Sequence, residues 1–226
     1  FLIDRDHCTD AEVERSWTDF PDPDKHNLLI WKKRQLENYF LDPGYLSKSE
    51  FLKTTREQLN ASLLKHAANR IYLDLANLTI TQIREFQKEK WIAQFSNPAE
   101  FESAAIALKK VKECPEIRSR ARIIADHLAT VETIFQKFQQ KLIDGAVKPV
   151  FGKGEWLNLM DGKALYCTIV NECFKVTDAD GKELKGKDAQ KTLALDLLQK
   201  GLTEQPKDFQ DLHKMVKTLT TRAIRG

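Results

Sequence analysis

Long hydrophobic runs are missing from this 226-residue sequence. Its longest apolar stretches are only a few residues, and a membrane-crossing helix needs about 20. No membrane association is therefore expected. Cysteine is scarce. Cys8, Cys114, Cys167 and Cys173 lie scattered without a CxxC pair or a secretory signal, and reduced thiols in a cytoplasmic protein are the plain reading. An excess of one charge is also lacking. Thirty-six Lys and Arg nearly cancel 33 Asp and Glu, leaving +3, a balance that permits nucleic-acid binding without diagnosing it. No GxxxxGK[ST] occurs, which excludes the phosphate loop of an ATPase, and Gly152-Lys153-Gly154 reads as a turn. The five histidines (His7, His26, His66, His127, His213) show neither HxH nor HxxxH spacing. There is no internal repeat, no low-complexity tract, and no initiating Met before the apolar opening Phe1-Leu2-Ile3. That opening leads us to expect a fragment of a longer chain.

What is present reads in three parts. Phe1–Ile3 has the composition of a buried strand end. Thr9 and Asp10 are good caps for a helix over about 10–16, with Glu12 and Glu14 suited to its first turn. The prolines of Phe20-Pro21-Asp22-Pro23-Asp24 force a loop, and Asn27–Trp31 (NLLIW) is a second buried strand. Strand, helix, strand makes a βαβ unit and implies a parallel sheet. One or two helical turns are expected over Gln35–Phe40, closed by Asp42-Pro43-Gly44. From Ser47 the character turns helical, with segments 49–71, 79–95 and 99–113. After Cys114-Pro115, Ile117, Ala121, Ile124, Leu128, Val131, Phe135, Phe138 and Leu142 recur at steps of four and three, a heptad seam. It suits a helical hairpin or bundle, or a coiled coil between chains. From Val147 we expect a strand over Val147–Phe151, a helix capped by Asp161, an exposed turn or hairpin over Val176–Lys187, and closing helices at 188–200 and 206–224. The layout is an α/β core of residues 1–46, a helical insertion of 47–146, and a return to the core with C-terminal helices over 147–226, predominantly helical overall.

Leu2-Ile3-Asp4-Arg5-Asp6 sets two carboxylates at the C-terminal end of a parallel strand, the edge where open α/β sheets bind ligands. Past the strand end, residues i and i+2 need not face opposite ways, so both carboxylates can reach one hard cation. The plain alternative is a pair of solvated loop aspartates. A strand followed by DxD also serves several chemistries. In a haloacid-dehalogenase-like phosphatase Asp4 would be the nucleophile and Asp6 the acid/base, but His7-Cys8-Thr9 stands where Gly-Thr is expected. A DxD glycosyltransferase would need a nucleotide-binding strand and helix upstream of it. Asp178-Ala179-Asp180-Gly181 fails the spacing of a calcium loop and reads as an Asp-Gly turn.

Further along, Arg34-Gln35-Leu36-Glu37-Asn38-Tyr39-Phe40-Leu41-Asp42-Pro43 matches the phrase R-x-h-E-N-Y-h-h-x-P, and Gly162-Lys163-Ala164-Leu165-Tyr166 matches GKxLh. In this order around a helical insertion, the three elements resemble the Toprim domain of the OLD-family, ATPase-linked nucleases. The resemblance implies a Toprim-like, partly parallel α/β sheet. Asp4 and Asp6 would ligate Mg²⁺ or Mn²⁺, Glu37 would be a further ligand or outer carboxylate, and Lys163 would sit near the scissile phosphate. On spacing alone, a helix-surface Glu37 pairing with Arg34 and an ordinary exposed Lys163 serve equally well. The family further implies a DNA substrate, an ATPase domain upstream or in a partner chain as the sole link to ATP, and a role in defence against phage or foreign DNA, while the heptad helix of the insertion suits a homo-oligomer. It also implies a Glu on an earlier strand, which would precede Phe1. A silent Toprim-like module that docks DNA or protein is the alternative.

Overall fold

The computed structural model describes residues 1–5, 8–20, 28–87, 94–121 and 127–223. It is predominantly helical and divides into two compact units, residues 1–63 with 157–226, and residues 64–156. Among the described residues no helix is long and apolar enough to cross a membrane.

The first unit opens with the βαβ unit. Strand β1 (Leu2–Ile3) pairs in parallel with β2 (Leu29–Ile30), Leu2 opposite Leu29 and Ile3 opposite Ile30. Leu29 N–H donates to Phe1 O and Trp31 N–H to Ile3 O. Between them α1 (Asp10–Asp19) starts at a capping box in which Thr9 and Glu12 satisfy each other's backbone N–H groups. Helix α1 also ends the sheet. Ser16 Oγ accepts from Ile30 N–H at 3.1 Å, and Trp17 Nε1 donates to Ile30 O at 2.7 Å. The ladder groups that a third strand would use at Ile30 are thus taken by side chains.

The chain then makes a 3₁₀ turn over Leu36–Tyr39 and the short helix α2 (Pro43–Leu46), capped by Asp42 with Pro43 at its first position. Helix α3 (Arg56–Gln87) follows and passes into the second unit at Leu64. It is one helix of 32 residues where separate segments at 49–71 and 79–95 were expected. Nothing in Tyr72–Leu78 breaks a helix, and Leu73, Leu75, Ala76 and Leu78 are buried. Residues 49–55 are turn and bridge, Leu52 pairing with Phe174.

In the second unit α3 is joined by α4 (Ala104–Glu113), α5 (Pro115–Ala121) and α6 (His127–Ile143). Ile117, Val131, Phe135 and Leu142 of the heptad seam are buried there. Residues 122–126, which include Ile124, lie outside the described residues. The strand expected at Val147–Phe151 is instead a tight turn. Val150 bridges to Lys153 across Gly152, whose φ of 78° is a left-handed conformation that glycine adopts freely.

The chain re-enters the first unit along α7 (Trp156–Leu159) and continues through α8 (Gly162–Cys173), α9 (Gly186–Leu198) and α10 (Lys207–Ala223). Between α8 and α9, Asp178 Oδ1 accepts from Asp180 and Lys182 N–H around Gly181, the Asp-Gly turn expected there. The core of this unit is an aromatic cluster. Tyr39 lies 5.2 Å from Trp31 and 5.0 Å from Phe209, and Phe40 lies 5.7 Å from Tyr166. Edge-on and tilted pairs of this kind add to what burial alone provides.

Candidate functional site

Asp4 follows directly on β1, and the fold brings Lys163 to it from 159 residues away: Lys163 Nζ lies 3.2 Å from Asp4 Oδ2. The other carboxylate oxygen, Oδ1, accepts from Leu36 N–H at 3.1 Å. Thus the strand end, the start of the 34–43 phrase and the Gly-Lys phrase meet at one carboxylate.

The pair is a poor fold stabiliser. Lys163 is 57% and Asp4 27% exposed at the side chain, and exposed ion pairs contribute only about 0–1 kcal/mol. Lys163 is also the second residue of α8, at the positive end of the helix dipole, where a cation costs a few tenths of a kcal/mol and an acid would be favoured. Its placement opposes helix stability and puts an ammonium against the strand-end carboxylate.

The start of α8 is closed by neighbours. Asp161 Oδ1 accepts from Ala164 N–H at 3.1 Å, and Gln35 Oε1 accepts from Lys163 N–H at 3.0 Å. Asn38 is fully buried. Its Nδ2 donates to Leu157 O at 2.9 Å and Met160 O at 3.1 Å, while its Oδ1 accepts from Gln35 N–H. Arg34 adds N–H to Asn158 O and Nη1 to Leu159 O. Arg5 braces the other flank, its N–H on Arg34 O, Nη1 on Lys32 O, and its guanidinium paired with Asp10. It is a scaffold residue of this flank.

Glu37 lies in the 3₁₀ turn beside α8. Its Oε2 is buried and has no hydrogen-bond partner among the described residues. Its charge, after burial itself, helps hold the Tyr166 phenol above the usual tyrosine range. No Glu37–Arg34 ion pair forms among the described contacts; Arg34 reaches Leu159 O instead. Asp6 and His7 lie outside the described residues. Among the described residues no three His, Cys, Asp or Glu side chains gather as a metal site would require.

The sequence reading missed a cleft of about 500 Å³ lined by Lys33, Tyr39, Asp42, Tyr45, Lys48 and Asp208 among others. Tyr39 Oη donates to Asp208 Oδ2 at 2.5 Å and accepts from the Lys32 and Lys33 N–H groups. Lys33 Nζ donates to Asn38 O at 3.1 Å and lies over the Tyr39 ring. Burial lowers the Lys33 pKa against the opposing pull of Asp42 and Asp208. Nothing local in Lys32-Lys33 signals this, because the partner Asp208 is 169 residues from Tyr39. No family model, curated protein or solved structure matches the chain.

Proposed function

We propose that this chain carries the Toprim-type, divalent-metal-dependent nuclease site of an ATPase-coupled protein acting on phage or foreign DNA. One observation carries the reading: a strand-end aspartate joined to a lysine that helix electrostatics alone would not place there. Asp4 and Glu37, with Asp6, are the residues that would hold Mg²⁺ or Mn²⁺. The fit rests on oxygen chemistry and on the buried, partnerless Oε2 of Glu37, a state an ion would relieve. When bound, such an ion activates a water and stabilises the leaving oxygen in phosphodiester hydrolysis. The chain's own share is electrostatic. Lys163 offers its ammonium to a phosphate at the strand end, where it offsets the charge that builds on the phosphoryl oxygens. Gln35, Asn38 and Arg34 hold the segment that carries it.

The test is Mg²⁺- or Mn²⁺-dependent cleavage of plasmid DNA by the full-length protein, wild type, with Asp4→Ala and Asp6→Ala together, and with Lys163→Met. With folding retained, loss of cleavage is expected in the double aspartate variant and a slowed but measurable rate in Lys163→Met, and undiminished cleavage by the double aspartate variant refutes the mechanism. Turnover of p-nitrophenyl phosphate that depends on Asp4 would reassign the site to a phosphatase. A silent module that docks DNA or protein is favoured by one feature, the Lys163 ammonium already on Asp4. It predicts binding that survives Asp4→Ala and no cleavage under any metal.

A further inference from the structure

We propose that Asn38 is the positioning residue of this site, fixing residues 157–162 so that Lys163 starts from where its side chain reaches Asp4. The inference rests on the nuclease reading for its catalytic consequence, but not for its geometry. Lys163 has a long, flexible stem and is more than half exposed, so its aim depends on where its backbone begins. That origin is set just upstream. Both donors of the Asn38 amide hold carbonyls of the segment leading into α8, and its acceptor holds Gln35, whose side chain in turn binds Lys163 N–H. Gly162 seals the contact. A Cβ at that position would lie 2.5 Å from Asn38 Oδ1 and 2.9 Å from Asn38 N, closer than atoms can approach. The hydrogen bonds of the Asn38 side chain go to Gln35, Leu157 and Met160 and not to Asp4, so its route to the strand end runs through Lys163.

Asn38→Asp keeps the shape but turns two donors into acceptors facing carbonyls. Gly162→Ala attacks the same contact from the other side, and Gln35→Ala, at a more exposed hydrogen bond, serves where those two fail to fold. A misplacement of about 1 Å can cost on the order of 100-fold in rate, so each of the first two should lower kcat by roughly that factor while KM for DNA stays within about threefold. The deciding measurement is a cycle with Lys163→Met. If Asn38 acts through Lys163, Asn38→Asp or Gly162→Ala costs no more than about threefold further in the Lys163→Met background. Losses that multiply overturn the proposal.

A second readout needs no cleavage. In a ¹⁵N-lysine-labelled protein the Lys163 ammonium resonance, assigned by Lys163→Arg, should shift on Asp4→Asn. In Asn38→Asp, Gly162→Ala or Gln35→Ala it should no longer respond. An unchanged response in folded variants refutes the positioning role even if the wild type proves not to be a nuclease. A lost response without cleavage refutes the nuclease reading and leaves the geometry standing.

Discussion

Replacing Tyr39 by Phe removes one oxygen atom from the best-packed part of the first unit and leaves the ring against Trp31 and Phe209. That oxygen makes three hydrogen bonds: it donates to Asp208 Oδ2 at 2.5 Å and accepts from the N–H groups of Lys32 at 3.1 Å and Lys33 at 3.3 Å. A hydrogen bond to a charged group contributes about 1.5–3 kcal/mol. Asp208 is 13% exposed at its side chain, so water replaces the phenol poorly, although Lys32 Nζ at 3.5 Å remains. The two amides are only partly buried and regain some solvation. Together these place the cost at about 3 kcal/mol. The natural control is Tyr45→Phe, whose hydroxyl donates a single bond to the uncharged Leu197 O at 2.8 Å. It should cost about 1 kcal/mol.

Urea unfolding followed by tryptophan fluorescence suits this region, because Trp31 touches Tyr39 and Trp17 lies 6.4 Å from Trp31. With two compact units, amide exchange of peptides spanning 28–42 should accompany it, so that the loss is assigned to the first unit. The expected result is a lower midpoint at unchanged m, with faster exchange in that peptide. A Tyr39→Phe cost no larger than that of Tyr45→Phe would show that the Asp208 bond does not anchor the phrase, and with it the reasoning fails.

Alkaline pH gives an independent check of burial. Burial and Asp208 hold the Tyr39 phenol, burial and Glu37 the Tyr166 phenol, above the ordinary value, and burial with Asp196 and Glu204 pushes Tyr45 up to about 12. Folded values above the unfolded one mean stability that is complete below pH 10 and is lost as pH rises beyond it. Lys33 works the other way: its lowered value means fewer protons in the folded state, so stability rises with pH up to its ordinary 10.5. Absorbance at 295 nm should show these tyrosines ionising only with unfolding, and Lys33→Met should flatten the stability slope below pH 10.5; early ionisation of Tyr45 in the folded protein would contradict its burial. In the second unit, Gly154→Ala should cost on the order of 2 kcal/mol or more, since φ is 63° and the new Cβ would fall 2.1 Å from Leu142 O. Gly152→Ala, equally left-handed but with open space around it, should cost about 1 kcal/mol, and equal midpoints for the two would refute the steric argument.

The legible parts of this fold were those whose cause is local. Thr9 and Glu12 announced α1 and Asp161 announced α8, each through a cap that a few neighbouring residues complete, whereas Asp42-Pro43, expected only to close the preceding turns, caps the further helix α2. The two apolar runs around the first helix announced the parallel pair. Where cause is distant, the reading stopped. Asn38 looks like any polar helix residue until the carbonyls of Leu157 and Met160 arrive from 119 and 122 positions away. Apolar composition alone also misled at Val147–Phe151, where Gly152 and the Val150–Lys153 bridge turn the chain before a strand can pair. At 73–80 every residue is buried, so the one-sided apolar period that marks a surface helix fades there, but nothing in the backbone interrupts α3.

Most positions of the 34–43 phrase have a folding task. Arg34 holds Asn158 and Leu159, Gln35 the start of α8, Leu36 the Asp4 carboxylate, Asn38 the 157–160 carbonyls, and Tyr39 Asp208. Phe40 and Leu41 are core, and Asp42 and Pro43 start α2. Glu37 is the exception. Among the described residues its Oε2 is withdrawn from water without a hydrogen-bond partner, an arrangement that costs about 1–3 kcal/mol. A residue that burdens the fold while its neighbours support it is best explained by function. Glu37→Gln tests this directly. In EDTA it should leave the first unit about as stable as the wild type, because Oε2 has no hydrogen bond among the described residues to lose. With millimolar Mn²⁺ the wild type should gain in Tm by mass action, and both Glu37→Gln and Asp4→Ala should lose most of that gain. A Glu37→Gln protein destabilised in EDTA would mean that the carboxylate holds the fold after all, and an undiminished Mn²⁺ response would remove Glu37 from the ion site.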